Sequence, residues 1–316
     1  MDFSTKTDFS KVKNIIEIFI YNLSKKLNIN KLSNNKDLIT AINQTTEYHN
    51  LNINKINTSS YSIKYNDITN LTTTNYLADV TVDLNFNYSN TNLLSTCSSQ
   101  YLFLLQESNK NLYIANIYNK ESLSHILNSK PNLDLLNNCN LYLKSNINHM
   151  NSILCTTKAI PSIYRCDCTR QTNYDKEKAA LYARQYALNY NKDFLNFNDN
   201  GGDCTNFSSQ SLNFGGVPLT NTWKPYSNPW VRVRELRDYL INNKLATEKY
   251  VVDSDCLGCL IQFYNEERKD WTHSGIISYV SSTTCLYCCH SYDKLNYPLE
   301  FTYPILYPKM RIICPN

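Results

Sequence analysis

Glycine is almost absent from this chain. The 316 residues hold six, and none occurs before residue 201. Long apolar runs are missing too: no stretch approaches the ~20 residues that cross a bilayer as a helix, so no membrane span is predicted. Basic runs are also lacking. Net charge is +4 with 18% charged residues, and the lysines are scattered among Asn and Ser. That distribution gives no electrostatic footprint for nucleic acid. The N-terminus, MDFSTKTDFSKVKNIIEIFIYNLSKKLN, lacks a basic leader region and a small-residue cleavage site, so it reads as an amphipathic helix. A leader outside this numbering would place the protein in the cell envelope or outside the cell; otherwise the cytoplasm is expected. No internal repeat is evident.

Cysteine is not scarce. Twelve occur, nine of them from Cys166 onward. That is high for a cytosolic enzyme and too dilute for a small disulfide scaffold, so it leaves the redox compartment open.

The few glycines are concentrated. GGDCTNFSSQSLNFGG, residues 201–216, holds four of the six. Glycine reaches φ > 0 and lets backbone or ligand approach closely, so the first pair suits a sharp entry into a helix and the second an αL stop. Between them Cys204, Phe207, Ser208, Ser211 and Leu212 recur at helical spacing. Asp203 is the expected N-cap, accepting from the first turn. Cys204 falls at the first helical position, where the dipole favours an anion and lowers a thiol pKa. A nucleophilic cysteine and a buried structural one fit this stretch equally well.

Hydrophobic periodicity divides the rest. Residues 9–27 predict a helix with Val12, Ile15, Ile16, Phe19, Ile20 and Leu23 on one face, followed by period-2 segments at 61–65, 77–88, 100–107 and 111–119. An accessory α+β domain, a helix plus a curved antiparallel sheet, is therefore expected over 1–128. Residues 129–171, rich in Asn and Ser and ending in Cys166–Cys168, read as a connector. From 172 to 316 helices come first, including one opened by Asn228 as cap and Pro229, and then antiparallel strands at 258–264, 273–280 and 284–292. The fold class is α+β throughout, and the second domain has a papain-like order of helices and then a β meander.

A thiol nucleophile needs a base. Of five histidines, His49, His125 and His149 lack supporting features. His273 opens a strand after a polar loop with Gly275 two residues on, which suits a ring facing a helix N-terminus; alone it would read as a structural histidine, but beside Cys204 it reads as a base. An orienting acceptor should hold its second nitrogen. His290 on the next strand is the first choice, with Asp293 and Asn296 as alternatives. Gly202, Asp203, Asn206, Trp271 and Ser274 are the expected substrate-binding positions.

These stretches, with YDKEKAALYA, Trp223, NPW and HSGIIS in order, resemble the bacterial "Putative amidase domain" family over about residues 172–310, near the CHAP and NlpC-type hydrolases of the papain-like superfamily. The resemblance implies a thiol amidase or peptidase acting through a thioester acyl-enzyme, with Cys204 as nucleophile, His273 as base and His290 third. It implies no cofactor, and a peptide or amide substrate, peptidoglycan among them. Ser208, Ser211 and Cys259 depart from the family pattern. An acyl transferase using the same Cys–His pair is the alternative chemistry, and a Cys- and Tyr-cross-linked structural surface-layer protein is the non-enzymatic one. Cys256-x2-Cys259 and Cys285-x2-Cys288 also form a paired zinc-type pattern. Its 25-residue gap and the strand geometry favour disulfides or free thiols, so no metal site is expected.

Overall fold

The computed structural model describes residues 9–25, 27–51, 56–88, 91–123, 133–156 and 173–316. These fall into two compact units. The first draws on residues 1–53, 60–84 and 98–158, and the second on 54–59, 85–97 and 159–316. Both are mixed α and antiparallel β, the expected α+β class.

In the first unit α1 (Ser10–Ser24) buries Val12, Ile15, Ile16 and Phe19, most of the face that the periodicity predicts, whereas Ile20 is half-buried and Leu23, one residue from the helix end, is exposed. It packs with Ala78, Val80, Phe103 and Ile114. These core residues lie on β2 (Asn75–Tyr88), β3 (Leu94–Ser108) and β4 (Asn111–Asn119), which follow α2 (Lys36–Leu51) and β1 (Ile56–Asn70) in the chain. Strands β3 and β4 pair antiparallel up to Ser108↔Asn111. The turn between them, Asn109 and Lys110, has φ of 51° and 63°, the left-handed pair that a two-residue hairpin requires. A short α3 (Lys120–Leu123) closes β4.

The segment read as a connector carries a helix, α4 (Leu133–Thr156), of 24 residues. It packs on α2, where Gln44 Nε2 donates to Asn151 Oδ1 at 2.6 Å. Buried Met150 and Ile153 supply its apolar contact. The remainder of that segment, with Cys166, Cys168 and Pro161, lies outside the described residues, as does His125.

The second unit opens with α5 (Lys176–Tyr186), capped by Asp175 accepting from the Lys178 N–H at 3.0 Å. Next come α6 (Cys204–Phe214), α7 (Asn228–Val231) and α8 (Val233–Asn242). Ser227, not Asn228, is the N-cap of α7, and extended backbone at Arg232 breaks the expected single helix in two. The strands are β5 (Ala246–Lys249), β6 (Leu260–Asn265), β7 (Asp270–Val280), β8 (Cys285–Cys289), β9 (Lys294–Pro298) and β10 (Lys309–Pro315). Their order is β9-β8-β7-β6-β10-β5, with residues Thr96 and Cys97 of β3 paired to β9. The predicted meander is β6 to β8, and β9, which the sequence reading did not mark, extends it. The last strand returns to insert between β6 and β5.

Alternation along the strands sends side chains to two faces. Leu260, Ile276, Cys288 and Ile313 meet Phe207, Leu212, Trp223, Trp230 and Leu236 from the helices. Ile261, Phe263, Ile277, Tyr287 and Ile312 point the other way, into a cluster with Cys256, Cys259, Cys285, Cys289 and Cys314. Trp223 and Trp230 are fully buried 4.8 Å apart between ring centroids, so they anchor the helix-side core.

Candidate active site

The glycines that bracket α6 do the two things their conformation allows. Gly201 and Gly202 have φ of 96° and 104°, turning the chain sharply before the helix. At the other end Gly216 has φ of 110°, and the Val217 N–H reaches Leu212 O at 3.0 Å, a Schellman-type stop. Gly215 is needed for space: a Cβ there would lie 2.5 Å from the Tyr174 ring.

Cys204 is the first residue of α6 and is 7% exposed. Its Sγ lies 3.7 Å from Thr205 Oγ1. The thiol pKa runs against the sequence expectation. Burial pushes it up, and the Thr205 hydroxyl and the Ser274 N–H oppose that only in part. Desolvation disfavours the thiolate more than these two donors stabilise it.

Asp203 occupies the N-cap position, but its side chain makes no capping hydrogen bond. The carboxylate is drawn elsewhere. Oδ1 accepts from the Phe197 N–H and from Asn206 Nδ2, each at 2.9 Å, and Oδ2 lies 2.6 Å from His290 Nδ1. Asn206 is equally occupied, donating to Leu195 O and accepting from Trp230 Nε1, both at 2.8 Å. Gly202 packs against Ser291, whose Oγ accepts from the Asp203 N–H at 2.6 Å. Gly202, Asp203 and Asn206 thus build the loop that delivers Cys204.

His290 stands just past the end of β8 rather than on the strand, at the turn where Ser291 and Tyr292 take positive φ. Its second nitrogen, Nε2, lies 2.8 Å from the Tyr186 carbonyl, and the ring stacks between Tyr190 and Phe207. Both ring nitrogens are thus engaged by oxygens of Asp203 and Tyr186 rather than turned to Cys204. Asp293 accepts from the Tyr190 hydroxyl at 2.7 Å, and burial pushes its carboxyl up. Asn296 donates to Leu94 O at 3.1 Å.

His273 is placed apart from Cys204. In β7 it pairs with Phe263 of β6, and its ring lies parallel to Phe263 and Tyr307 at about 6 Å. Its neighbour Ser274 faces the helices instead, with Oγ 3.2 Å from Thr205 Oγ1. Successive residues of a strand point to opposite faces, so the Cys204 and His273 side chains lie on opposite sides of the sheet. Burial first, and then the Lys294 ammonium, hold the His273 pKa down at about 3, and its Nε2 has no hydrogen-bond partner.

Trp271 and Ser274 connect to a polar group the sequence reading missed. Gln262 Nε2 lies 3.4 Å from Ser274 Oγ, its Oε1 accepts from Arg311 Nε at 2.9 Å, and the Arg311 guanidinium lies 4.1 Å over the Trp271 ring. The signal was present: Gln262 and Arg311 are polar residues inside the apolar runs LIQFY and KMRIIC.

Residues 173–312 match the family described as "Putative amidase domain". This segment is similar to that family. The chain is also similar to uncharacterized proteins of Bacillus subtilis. YjcM is 30% identical over 143 residues, 42% of this chain and 34% of the relative. YhbB is 33% identical over 95 residues, 27% of this chain and 30% of the relative. The match thus spans about a third of each relative's length. No solved structure matches the chain.

Within the second unit the two Cys-x2-Cys pairs do not converge. Cys285 and Cys288 are three residues apart on a strand, an odd spacing, so they take opposite faces. Cys288 lies in the helix-side cluster, and Cys256, Cys259 and Cys285 lie in the other. Among the described residues no group of three or more His, Cys, Asp or Glu is arranged to hold a metal ion.

Proposed function

We propose that the second unit hydrolyses amide bonds with Cys204 as the attacking thiol. The observation that carries this reading is the position of Cys204. It is the first residue of a helix, after two glycines in positive φ, with the Thr205 hydroxyl 3.7 Å from its sulfur. Attack on the amide carbonyl forms the C–S bond, and the collapsing intermediate expels the amine as it takes up a proton. Water then cleaves the thioester to release the acid and restore the thiol. The backbone N–H of Cys204, at the positive end of the helix, is the donor for the oxyanion. Peptide amides are the substrate class, with cell-wall stem peptides the first to test.

A thiol held protonated by burial needs a proton acceptor in the substrate complex. We assign that role to His273, whose imidazole is neutral and whose Nε2 is unpartnered. The assignment requires the ring to leave the Phe263–Tyr307 stack and reach the α6 face. The irregularity in β6–β7 pairing at Phe263/Tyr264 lies at that point of the sheet, and such bulges re-aim side chains. His290 is a positioning residue, fixing Asp203 and through it the start of α6.

The test is turnover of peptide amides by full-length protein and by Cys204→Ala, Cys204→Ser and His273→Gln, each checked for fold by circular dichroism. Cys204→Ala should abolish turnover with the fold intact, and a thioester adduct should appear by mass spectrometry in wild type alone. Turnover by Cys204→Ala removes the cysteine mechanism. Full turnover by His273→Gln leaves His273 a core histidine.

A further inference from the structure

Strand β10 carries an arginine into the sheet of the second unit. Arg311 is 6% exposed and lies opposite Gln262 of β6 in the register. Its Nε is satisfied by Gln262 and its plane is covered by Trp271, but Nη2 is buried with no hydrogen-bond partner. A buried charged donor left unmet is costly. Burial lowers the Arg311 pKa to about 10, with Glu248 the foremost group opposing that fall.

The same side chain lines a cavity of 330 Å³ together with Arg234, Arg237, Lys269 and Trp271. Asp238 and Asp270 also line it, so four cations face two carboxylates. Arg237 is already engaged by Glu248 and Asp238, and Arg234 Nε lies 3.6 Å from Asp270 Oδ1. Arg311 Nη2 is the buried donor on this wall that has no partner among the described residues.

The geometry points to a binding site for a carboxylate group of the substrate, received by Arg311 against the Trp271 ring. A planar guanidinium matches a planar carboxylate. The small positive excess suits a monoanion, whereas a phosphate dianion would also face both aspartates. The site's use in catalysis rests on the amide-hydrolase reading, through a short polar chain. Gln262 joins Arg311 to Ser274 Oγ, which lies beside Thr205 Oγ1, and that hydroxyl lies 3.7 Å from Cys204 Sγ. The site would then select peptides bearing a free carboxyl group near the scissile bond over the corresponding carboxamides.

The experiment uses the full chain carrying Cys204→Ala, titrated calorimetrically at low salt with N-acetylalanine, N-acetylalaninamide and inorganic phosphate. The carboxylate should bind saturably and the amide should not. Arg311→Gln should weaken carboxylate binding about tenfold or more. Should that variant fail to fold, Arg234→Gln/Lys269→Gln on the cavity wall should weaken it severalfold instead. Equal binding of acid and amide, tighter binding of phosphate, or unchanged affinity in the folded variants overturns the site. Turnover of paired peptides by wild type separates the two readings. Carboxylate binding without any amide hydrolysis leaves the site standing and the enzyme reading overturned. Equal kcat/KM for carboxyl- and carboxamide-ended peptides, with no probe bound, does the reverse.

Discussion

A cysteine at the first position of a helix is expected to have a lowered pKa, and Cys204 has the position without that consequence. Nearly complete burial removes the water that would solvate a thiolate, and two donors do not make up the loss. Alkylation of Cys204 by iodoacetamide should therefore be slow at neutral pH. Its rate should still be climbing above the ordinary thiol value of about 8.5, as read by mass spectrometry at each cysteine. A plateau below that value would show the helix dipole outweighing burial. Thr205→Val, which removes the hydroxyl beside Sγ, should move the profile further up. The candidate nucleophile was legible in GGDC, because spacing alone places it at a helix start. Its burial was not, since that depends on strand β7 passing over it.

At the scale of the element, α6 is set by its two ends. Its C-terminal glycines were readable as a stop, and Gly215 has the second constraint that Tyr174 fills the space beside it. Gly215→Ala puts a methyl group against that ring and against Ala179. It should destabilise the protein by about 1–3 kcal/mol in chemical denaturation; no change would mean that Tyr174 moves aside freely. At the N-terminal end the buried Asp203–His290 pair stands where a simple side-chain cap was expected. Removing one partner of such a buried hydrogen-bonded pair leaves the other without it, at about 1–3 kcal/mol. Asp203→Asn and His290→Gln should each be destabilising, and the double variant should lose much less than their sum. Additive losses would show the two side chains acting independently. The pair was hidden in the sequence because its members are 87 residues apart.

At the scale of the whole molecule, His273 makes folding sensitive to acid. Its folded pKa of about 3 lies below the ordinary 6.5. Between those values the unfolded chain takes up a proton that the folded one refuses. The stability is whole above pH 6.5 and is lost as pH falls toward 3, by up to about 1.4 kcal/mol per pH unit. His273→Phe keeps an aromatic ring beside Phe263 and Tyr307 and should flatten this limb in urea titrations at pH 7, 5.5 and 4. Parallel pH profiles for wild type and variant would exclude His273 as the group responsible.

The sequence by itself determined the local facts. Periodicity marked most of the buried face of α1, glycine marked the ends of α6, and β propensity marked the meander from β6 to β8. These depend on neighbours a few residues apart. Tertiary structure decided what each side chain meets. A strand sends alternate residues to opposite faces, so one register step put Ser274 beside Cys204 and sent His273 to the far side of the sheet. The return of β10 between β5 and β6 brought Arg311 to Gln262 and Trp271, a pairing across 49 and 40 residues that only the folded chain assembles.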